Sequence, residues 1–418
     1  MKKKTKILSA LMLSASLILS ACNSGGDQNS GGDSNNEKKE ILLWSGTTGP
    51  DGDLIKKDID RYNATNPDYK VKIVSMEGAV LGNKLATVTR SGKGVPDIAL
   101  IASEAVSTYH AQGMLEPWDT FIDGTEVKGD NYLKEAWQVG TVEGKQYGVP
   151  ATMGSWVMYY NKDLVDKYVP GAADDNIITY EEVEKAGAAA KADGIYAYGF
   201  TWGMQNFNNL YLQMGGKFSD GEKPTIDNET AVKTIEEFKK LHDLGYMNKK
   251  GEDMNKLFNN GKVIFLPEGT WMLSQMNKIT NFKWAQTFTP QWDAGKIIQG
   301  SGADQFAMFV SKERSEAKIK STVKFLEWLQ GNQTEWIKSG ANPTSLAMLD
   351  NEEYTKMPQS FLLKTDKARE AVTIVTDPGS SYVFGEIDAG IWDMIQGKAD
   401  IKEQLKKIQQ TVNDKMAQ

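Results

Sequence analysis

Between Glu40 and Val74 the chain spells out one complete structural unit. Glu40–Trp44 (EILLW) is a short apolar run, and Ser45-Gly46-Thr47-Thr48-Gly49-Pro50 breaks it. Leu54, Ile55, Ile59 and Tyr62 then recur at helical spacing, Asn66-Pro67 stops the helix, and Tyr69–Val74 (YKVKIV) alternates as a second strand. Two strands joined through a helix run in the same direction, and such crossovers are right-handed in nearly all folds. Parallel strands need helices on their faces, so this unit already commits the chain to an α/β architecture.

The rest of the chain keeps to that pattern. Lys84–Arg90 is helical, Asp97–Ile101 (DIALI) reads as a buried strand, and a helix follows from about Glu104 to Gln112. Tyr147-Gly148-Val149-Pro150 leads into a strand over Trp156–Asn161. Beyond it lie helices at Tyr180–Asp193, Asn206–Met214 and Glu229–Leu244, with strands around Tyr198–Thr201 and over Val263–Leu266, the latter ending at Pro267. A strand over Gln305–Val310 and helices at Lys318–Gln330, Glu386–Gln396 and Ile401–Val412 complete the chain. Alternating strands and helices over some 380 residues predict two α/β lobes rather than one large core.

The N-terminal residues follow a different logic. Lys2, Lys3, Lys4 and Lys6 precede fourteen uncharged residues, Ile7–Ser20, and the only cysteine of the chain, Cys22, comes directly after. The apolar run is shorter than the ~20 residues that span a bilayer, but it has the basic start, apolar middle and small-residue cut site of a secretory signal. Asn23–Asn36 is nearly all Gly, Ser, Asn and Asp, a composition that cannot bury enough apolar surface to fold. A reactive thiol would need a folded scaffold to tune it, and a core cysteine would not be followed by a tether. Residues 1–21 are therefore read as a signal peptide, residues 22–38 as a flexible tether, and Cys22 as a point of processing.

Composition excludes several functions. Removing residues 1–21 takes four lysines and moves the formal charge from −7 to −11, a poor balance for binding nucleic acid. With two histidines, His110 and His242, there is no HExxH and little material for a zinc site or a His-based triad; no CxxC and no phosphate-cradling Gly-rich motif occurs. No cofactor is implied. Aromatic content stands out instead: there are eleven tryptophans, several beside Gly, Pro, Ser or Thr.

Six segments, taken in order, carry a resemblance: EILLWSG; IDRYNATNPDYKVKIV; GKGVPDIALI with AQGMLEPW; GKQYGVPATMGSWVMYYNKDL; NNGKVIFLPEGTWML; and GSGADQFAMFV with FLEWL. Together, behind Leu19-Ser20-Ala21-Cys22, which resembles a bacterial lipobox, they make the chain similar to the family 1 extracellular solute-binding proteins of ABC importers, the group of maltodextrin- and multiple-sugar-binding lipoproteins. The resemblance implies a periplasmic-binding-protein-like fold of two lobes with several hinge crossings and a ligand in the interlobe cleft. It places lobe 1 at 39–154 plus 302–345 and lobe 2 at 155–301 plus 346–418. It also implies lipid on Cys22, location at the extracellular face of the cell membrane, a monomer, and delivery of ligand to membrane permease subunits.

A sugar offers hydroxyl edges and weakly apolar faces, so its site needs carboxylates or amides and aromatic rings, placed in loops after strands. Trp44 and Thr47 follow the first strand, Glu77 the second, and Glu104 the third, where related binders carry an acid on sugar hydroxyls. Trp202, Gln205 and Asn206 follow the strand near Tyr198. Glu268 and Trp271 sit in LPEGTW, where the family commonly places a stacking tryptophan. Asp304 sits at the return crossing, Tyr382 and Phe384 in SSYVF before a helix, and Trp156 at the first crossing. Other readings stand beside these: Trp44 suits a core, and Glu104 suits the first turn of a helix. Trp118, Trp137, Trp328 and Trp336 read as core or groove fillers, while Trp284 and Trp292 stay open. The implied function is a non-enzymatic receptor for an oligosaccharide, with an α-glucan oligomer preferred on the resemblance alone. The alternatives are a secreted glycan hydrolase drawing paired carboxylates from Glu77, Glu104 and Glu268, and a binding protein for a non-sugar solute.

Overall fold

The structure, a computed structural model, describes residues 39–221, 223–377 and 379–417, so Cys22 and nearly all of the tether lie outside the described residues. β1 (Glu40–Ser45) pairs in parallel with β2 (Lys70–Ser75) on one side and β3 (Ile98–Ile101) on the other, with α1 (Gly49–Ala64) and α2 (Gly78–Ser91) as crossovers. Asn63 explains how α1 delivers the chain to β2. Its amide donates to the Val71 carbonyl and accepts from the Val71 N–H, both at 2.8 Å, as a neighbouring strand would. Asn66 then turns the chain with φ +55°, a conformation asparagine tolerates better than most residues. α3 (Ser103–Ala111) leaves β3 immediately.

Two long antiparallel strands organise everything that follows. β4 (Gly148–Asn161) and β8 (Gln299–Phe309) pair from Gly148↔Ala307 to Ser155↔Ser301. Between them in the chain come β5 (Tyr196–Tyr198), β6 (Val263–Gly269) and β7 (Trp284–Phe288). The strand order is β2-β1-β3-β8-β4-β6-β5, with β7 on the other edge of the second half of β4. The first half of β4 thus belongs to one lobe and the second half to the other. Trp156, expected at the first crossing, lies in the middle of this continuous strand.

Each lobe has its own core. In the first lobe Ile59, Trp118, Phe306, Phe325 and Trp336 pack together, Phe325 coming from α6 (Glu316–Leu329), which follows the second lobe's α4 (Gly203–Gln213) and α5 (Glu229–Asp243) in the chain. The second lobe packs Tyr198, Phe207, Phe238 and Ile391, the last from α7 (Ser380–Ile395), with α8 (Ile401–Met416) closing over them. Asn228 caps α5 through the Ala231 N–H at 2.9 Å, and Ile235, Phe238 and Leu241 repeat on its buried face. Each such side chain contributes about 1.5–3 kcal/mol of burial. Trp284, left open by sequence, is in β7 against Tyr159, whereas Trp292 is 48% exposed in a loop.

Several boundaries differ from the sequence expectations, each for a local reason. β6 runs past Pro267 to Gly269. Phe265 accepts from Gly199 N–H on the β5 side, so Pro267, two residues on, points its nitrogen to the same side, where β5 has already ended. No ladder donor is lost, and the Thr201 hydroxyl bonds the Pro267 carbonyl at 2.8 Å. β8 begins at Gln299 rather than Gln305, because Gly300 and Gly302 hide its periodicity. α4 begins at Gly203 and α7 at Ser380, earlier than the expected Asn206 and Glu386.

Candidate functional site

Where β8 passes β4, the pairing slips between Ala303 and Gln305, an irregularity of the β-bulge type. Asp304 stands at that slip. Bulges turn a side chain out of the regular pleat, and here Asp304, partly buried, is turned toward the cleft. The Asp304 carboxylate lies at the junction of two cavities of about 220 Å³ and 420 Å³. No described protein group hydrogen-bonds to it. Burial and the nearby Glu104 carboxylate push its pKa up to about 7.

The smaller cavity is bounded on one side by Ala102, Ser103 and Glu104 at the start of α3. On the other it meets Met204, Gln205 and Asn208 of α4, Trp156 of β4, Trp271, and Val375 and Phe384. Trp271 is 37% exposed and meets Trp156 edge-to-face at 4.9 Å, while Trp156 lies 5.8 Å from Trp202. Glycines make this packing possible: a Cβ on Gly269 would penetrate the Trp271 indole, and one on Gly154 would lie 3.1 Å from its Cζ3. Trp271 also walls a third cavity of about 430 Å³, which reaches Asp51 at the start of α1. A larger groove, about 840 Å³, lies apart from these on the flank of the first lobe and holds none of the expected residues.

The structure brings Glu104, Trp156, Gln205, Trp271, Asp304 and Phe384 around one cavity, with Thr47 on the adjoining one. Others face elsewhere. Trp44 is 8% exposed, packs in the core and lies under Lys84 Nζ at 5.2 Å. Glu77 is exposed at the start of α2 and lines none of these cavities. Asn206 is turned inward, accepting from the Tyr198 hydroxyl at 2.5 Å and donating to the Trp202 carbonyl at 2.8 Å. Glu268 is 1% exposed; it accepts from Trp202 Nε1–H at 2.9 Å and Asn255 Nδ2–H at 3.2 Å, so its oxygens are held inside the protein. Tyr382 and Phe384 lie within α7, not before it. Residues two apart on a helix point to opposite sides: Phe384 meets the cavity, and Tyr382 lies near Lys415 of α8.

Sequence reasoning passed over Asn208, whose Oδ1 is buried without a partner, and Ser301, whose hydroxyl bonds that of Ser155 at 2.6 Å across the two crossing strands. Asn208 was within reach, because it follows Gln205 by one helical turn, but it depended on starting α4 at Gly203.

A cleft between two α/β lobes joined through long strands now has a match among known proteins. Residues 46–336 fit the family model described as bacterial extracellular solute-binding protein. The chain belongs to this family. Among its relatives, the galactooligosaccharide-binding protein of Bacillus subtilis (strain 168) is 22% identical over 98% of this chain and 97% of its own. The maltooligosaccharide ABC transporter solute-binding lipoprotein of Streptococcus pneumoniae (strain ATCC BAA-255 / R6) is 24% identical over 96% and 94%. Among solved structures, the GacH receptor of Streptomyces glaucescens GLA.O, studied unliganded and with acarbose, superposes with a TM-score of 0.76 at 18% identity, covering 90% of this chain and 97% of that one. The two-lobe solute-binding fold expected from sequence is therefore the fold of this protein.

Proposed function

We propose that this solute-binding protein is a non-enzymatic carbohydrate receptor that takes an oligosaccharide between its lobes and delivers it to an ABC importer. The observation that carries this reading is Asp304: a partly buried carboxylate with no hydrogen-bond donor among the described residues, beside the paired rings of Trp156 and Trp271. Hydroxyl donors for the acid and C–H faces for the rings are what a sugar supplies. In this reading Glu104, Gln205, Asp304, Trp156, Trp271 and Phe384 touch the ligand, Thr47 borders a further sugar unit, and Trp202 flanks the cleft. The lobes comprise 39–154 with 302–345 and 155–301 with 346–418. A ligand bound by both lobes favours their closed arrangement, which a permease can recognise. Relatives named for maltooligosaccharide and galactooligosaccharide binding support an oligosaccharide, and an α-glucan oligomer remains the preferred one.

Glu268 is one of the three acids a hydrolase would draw on, and its engagement by Trp202 and Asn255 supports a binding role instead. Lipid on Cys22, a monomeric state and residence at the extracellular face of the membrane complete the proposal; a lipoprotein among the relatives supports the anchor. The test is a thermal-shift screen of the tetherless protein against mono- and oligosaccharides, since a ligand of the folded state raises its stability by mass action. A rise with an oligosaccharide supports the reading; a rise only with peptides or polyamines overturns it.

A further inference from the structure

The chemistry around the smaller cavity is one-sided. Among the described residues its ionisable lining consists of Glu104 and Asp304, both acids, and no described lysine, arginine or histidine lines it or the adjoining cavity that Asp304 shares. Glu104 receives only a long 3.3 Å bond from Ser103 Oγ–H, and Asp304 receives none. A third acceptor, Asn208 Oδ1, is buried in the same lining with no donor. Glu104 is exposed, so the cost of a missing donor falls on the partly buried Asp304 and on Asn208 Oδ1, and two carboxylates that feel each other's charge add repulsion.

A neutral sugar answers this only in part. Its hydroxyls donate to the oxygens, but it leaves two neighbouring acids, exposed Glu104 and partly buried Asp304, without a counter-charge. A protonated amine removes both costs at once. It carries three donors and a positive charge, and its hydrogen bonds to carboxylates are charge-assisted. A cleft with low-dielectric walls and one sign of charge also concentrates ligands of the opposite sign.

We propose that the cleft selects a glycan bearing a protonated amine, seated against Glu104 and Asp304, over its neutral counterpart. The inference rests on the carbohydrate reading of the site but departs from its α-glucan preference, since an α-glucan carries no amine, and points to amino sugars instead. The bulge at Asp304 then has a chemical purpose: it presents a bare carboxylate where a regular strand would pair it or turn it away.

The experiment is calorimetric titration of the protein with matched pairs: glucose and 2-amino-2-deoxyglucose, galactose and 2-amino-2-deoxygalactose, cellobiose and its diamino counterpart, deacetylated chitobiose. In at least one pair the amino sugar is expected to bind about tenfold tighter or better, the scale of a charge-assisted contact. Asp304→Asn, and separately the more exposed Glu104→Gln, should bring the members of that pair to within about threefold of each other. Neutral members binding as tightly as amino members, or both weakened alike by the variants, would overturn the inference and leave the carbohydrate reading standing. Failure of every sugar, amino or neutral, would overturn both.

Discussion

The indole N–H of Trp202 donates to the Glu268 carboxylate at 2.9 Å, tying a ring that is 51% exposed to an acid that is 1% exposed. Asn255 holds the other oxygen, so Glu268 acts as a buried bracket for an aromatic surface beside the cleft. Glu268→Ala removes the acceptor of both donors and is expected to destabilise the protein by about 1–3 kcal/mol. In a Trp202→Phe background the cost should shrink, because one of the two donors is already gone. Denaturant unfolding of the four proteins measures this, and strictly additive effects would contradict the coupling.

Asp304 makes stability depend on pH in a direction opposite to that of most carboxylates. Its pKa rises from the ordinary 3.8 to about 7 on folding, so the folded state binds the proton more tightly than the unfolded state. The stability this gives is full below about pH 4 and is lost as pH rises through about 7. Asp304→Asn should therefore stabilise the ligand-free protein at pH 8, on the order of 2 kcal/mol after allowing for the cavity's access to solvent, and give no gain at pH 4. Asp51, raised to about 6 by burial, shifts both proteins alike. Thermal melts at the two pH values decide; an equal gain at both would contradict the assignment.

Trp271 lies against backbone that carries no side chain. Gly154→Ala places a methyl 3.1 Å from its ring and must displace it. Overpacking of this kind costs about 1–3 kcal/mol, and here the loss should fall on ligand binding, roughly tenfold in Kd, with the lobes still folded. Titration beside a melt separates the two. A large drop in melting temperature with unchanged affinity would contradict the placement of Trp271 in the site.

Asp58 anchors α1 to the turn that begins at Trp336. It is 1% exposed and accepts from Glu335 N–H at 3.2 Å, Trp336 N–H at 2.8 Å and Arg61 Nη1–H at 2.8 Å. Asp58→Ala orphans these donors and should destabilise the first lobe by about 3 kcal/mol. Urea unfolding reads the change, and a loss well below 1 kcal/mol would contradict this role.

Cys22→Ser tests the proposed anchor. The variant should appear in the medium rather than in the membrane fraction, with sugar affinity unchanged; retention in the membrane would contradict it.

How much of this was legible in the sequence differed by position. The β1–α1–β2 unit was plain, because Leu54, Ile55, Ile59 and Tyr62 keep helical period and Asn66-Pro67 marks the stop. Trp271 and Glu104, which line the smaller cavity, stood out because turn residues and a helix start flank them. Asn206 and Glu268 were read as facing ligand because residue type gives polarity but not direction. Their bonds to Tyr198 and Trp202 come from segments that only tertiary packing brings near. Tyr382 and Phe384 were separated by a helix that starts at Ser380 with little to announce it. The bare state of Asp304 depends on a strand slip that no local pattern records.

The central claim is that Asp304 and Trp271 together hold a carbohydrate between the lobes. The direct measurement is calorimetric titration of the wild type, Asp304→Asn and Trp271→Ala with a panel of oligosaccharides and amino sugars. Saturable one-to-one binding by the wild type, weakened at least about tenfold by each substitution, is the expected result. Binding that survives both substitutions unchanged, or no binding of any sugar, would contradict the account.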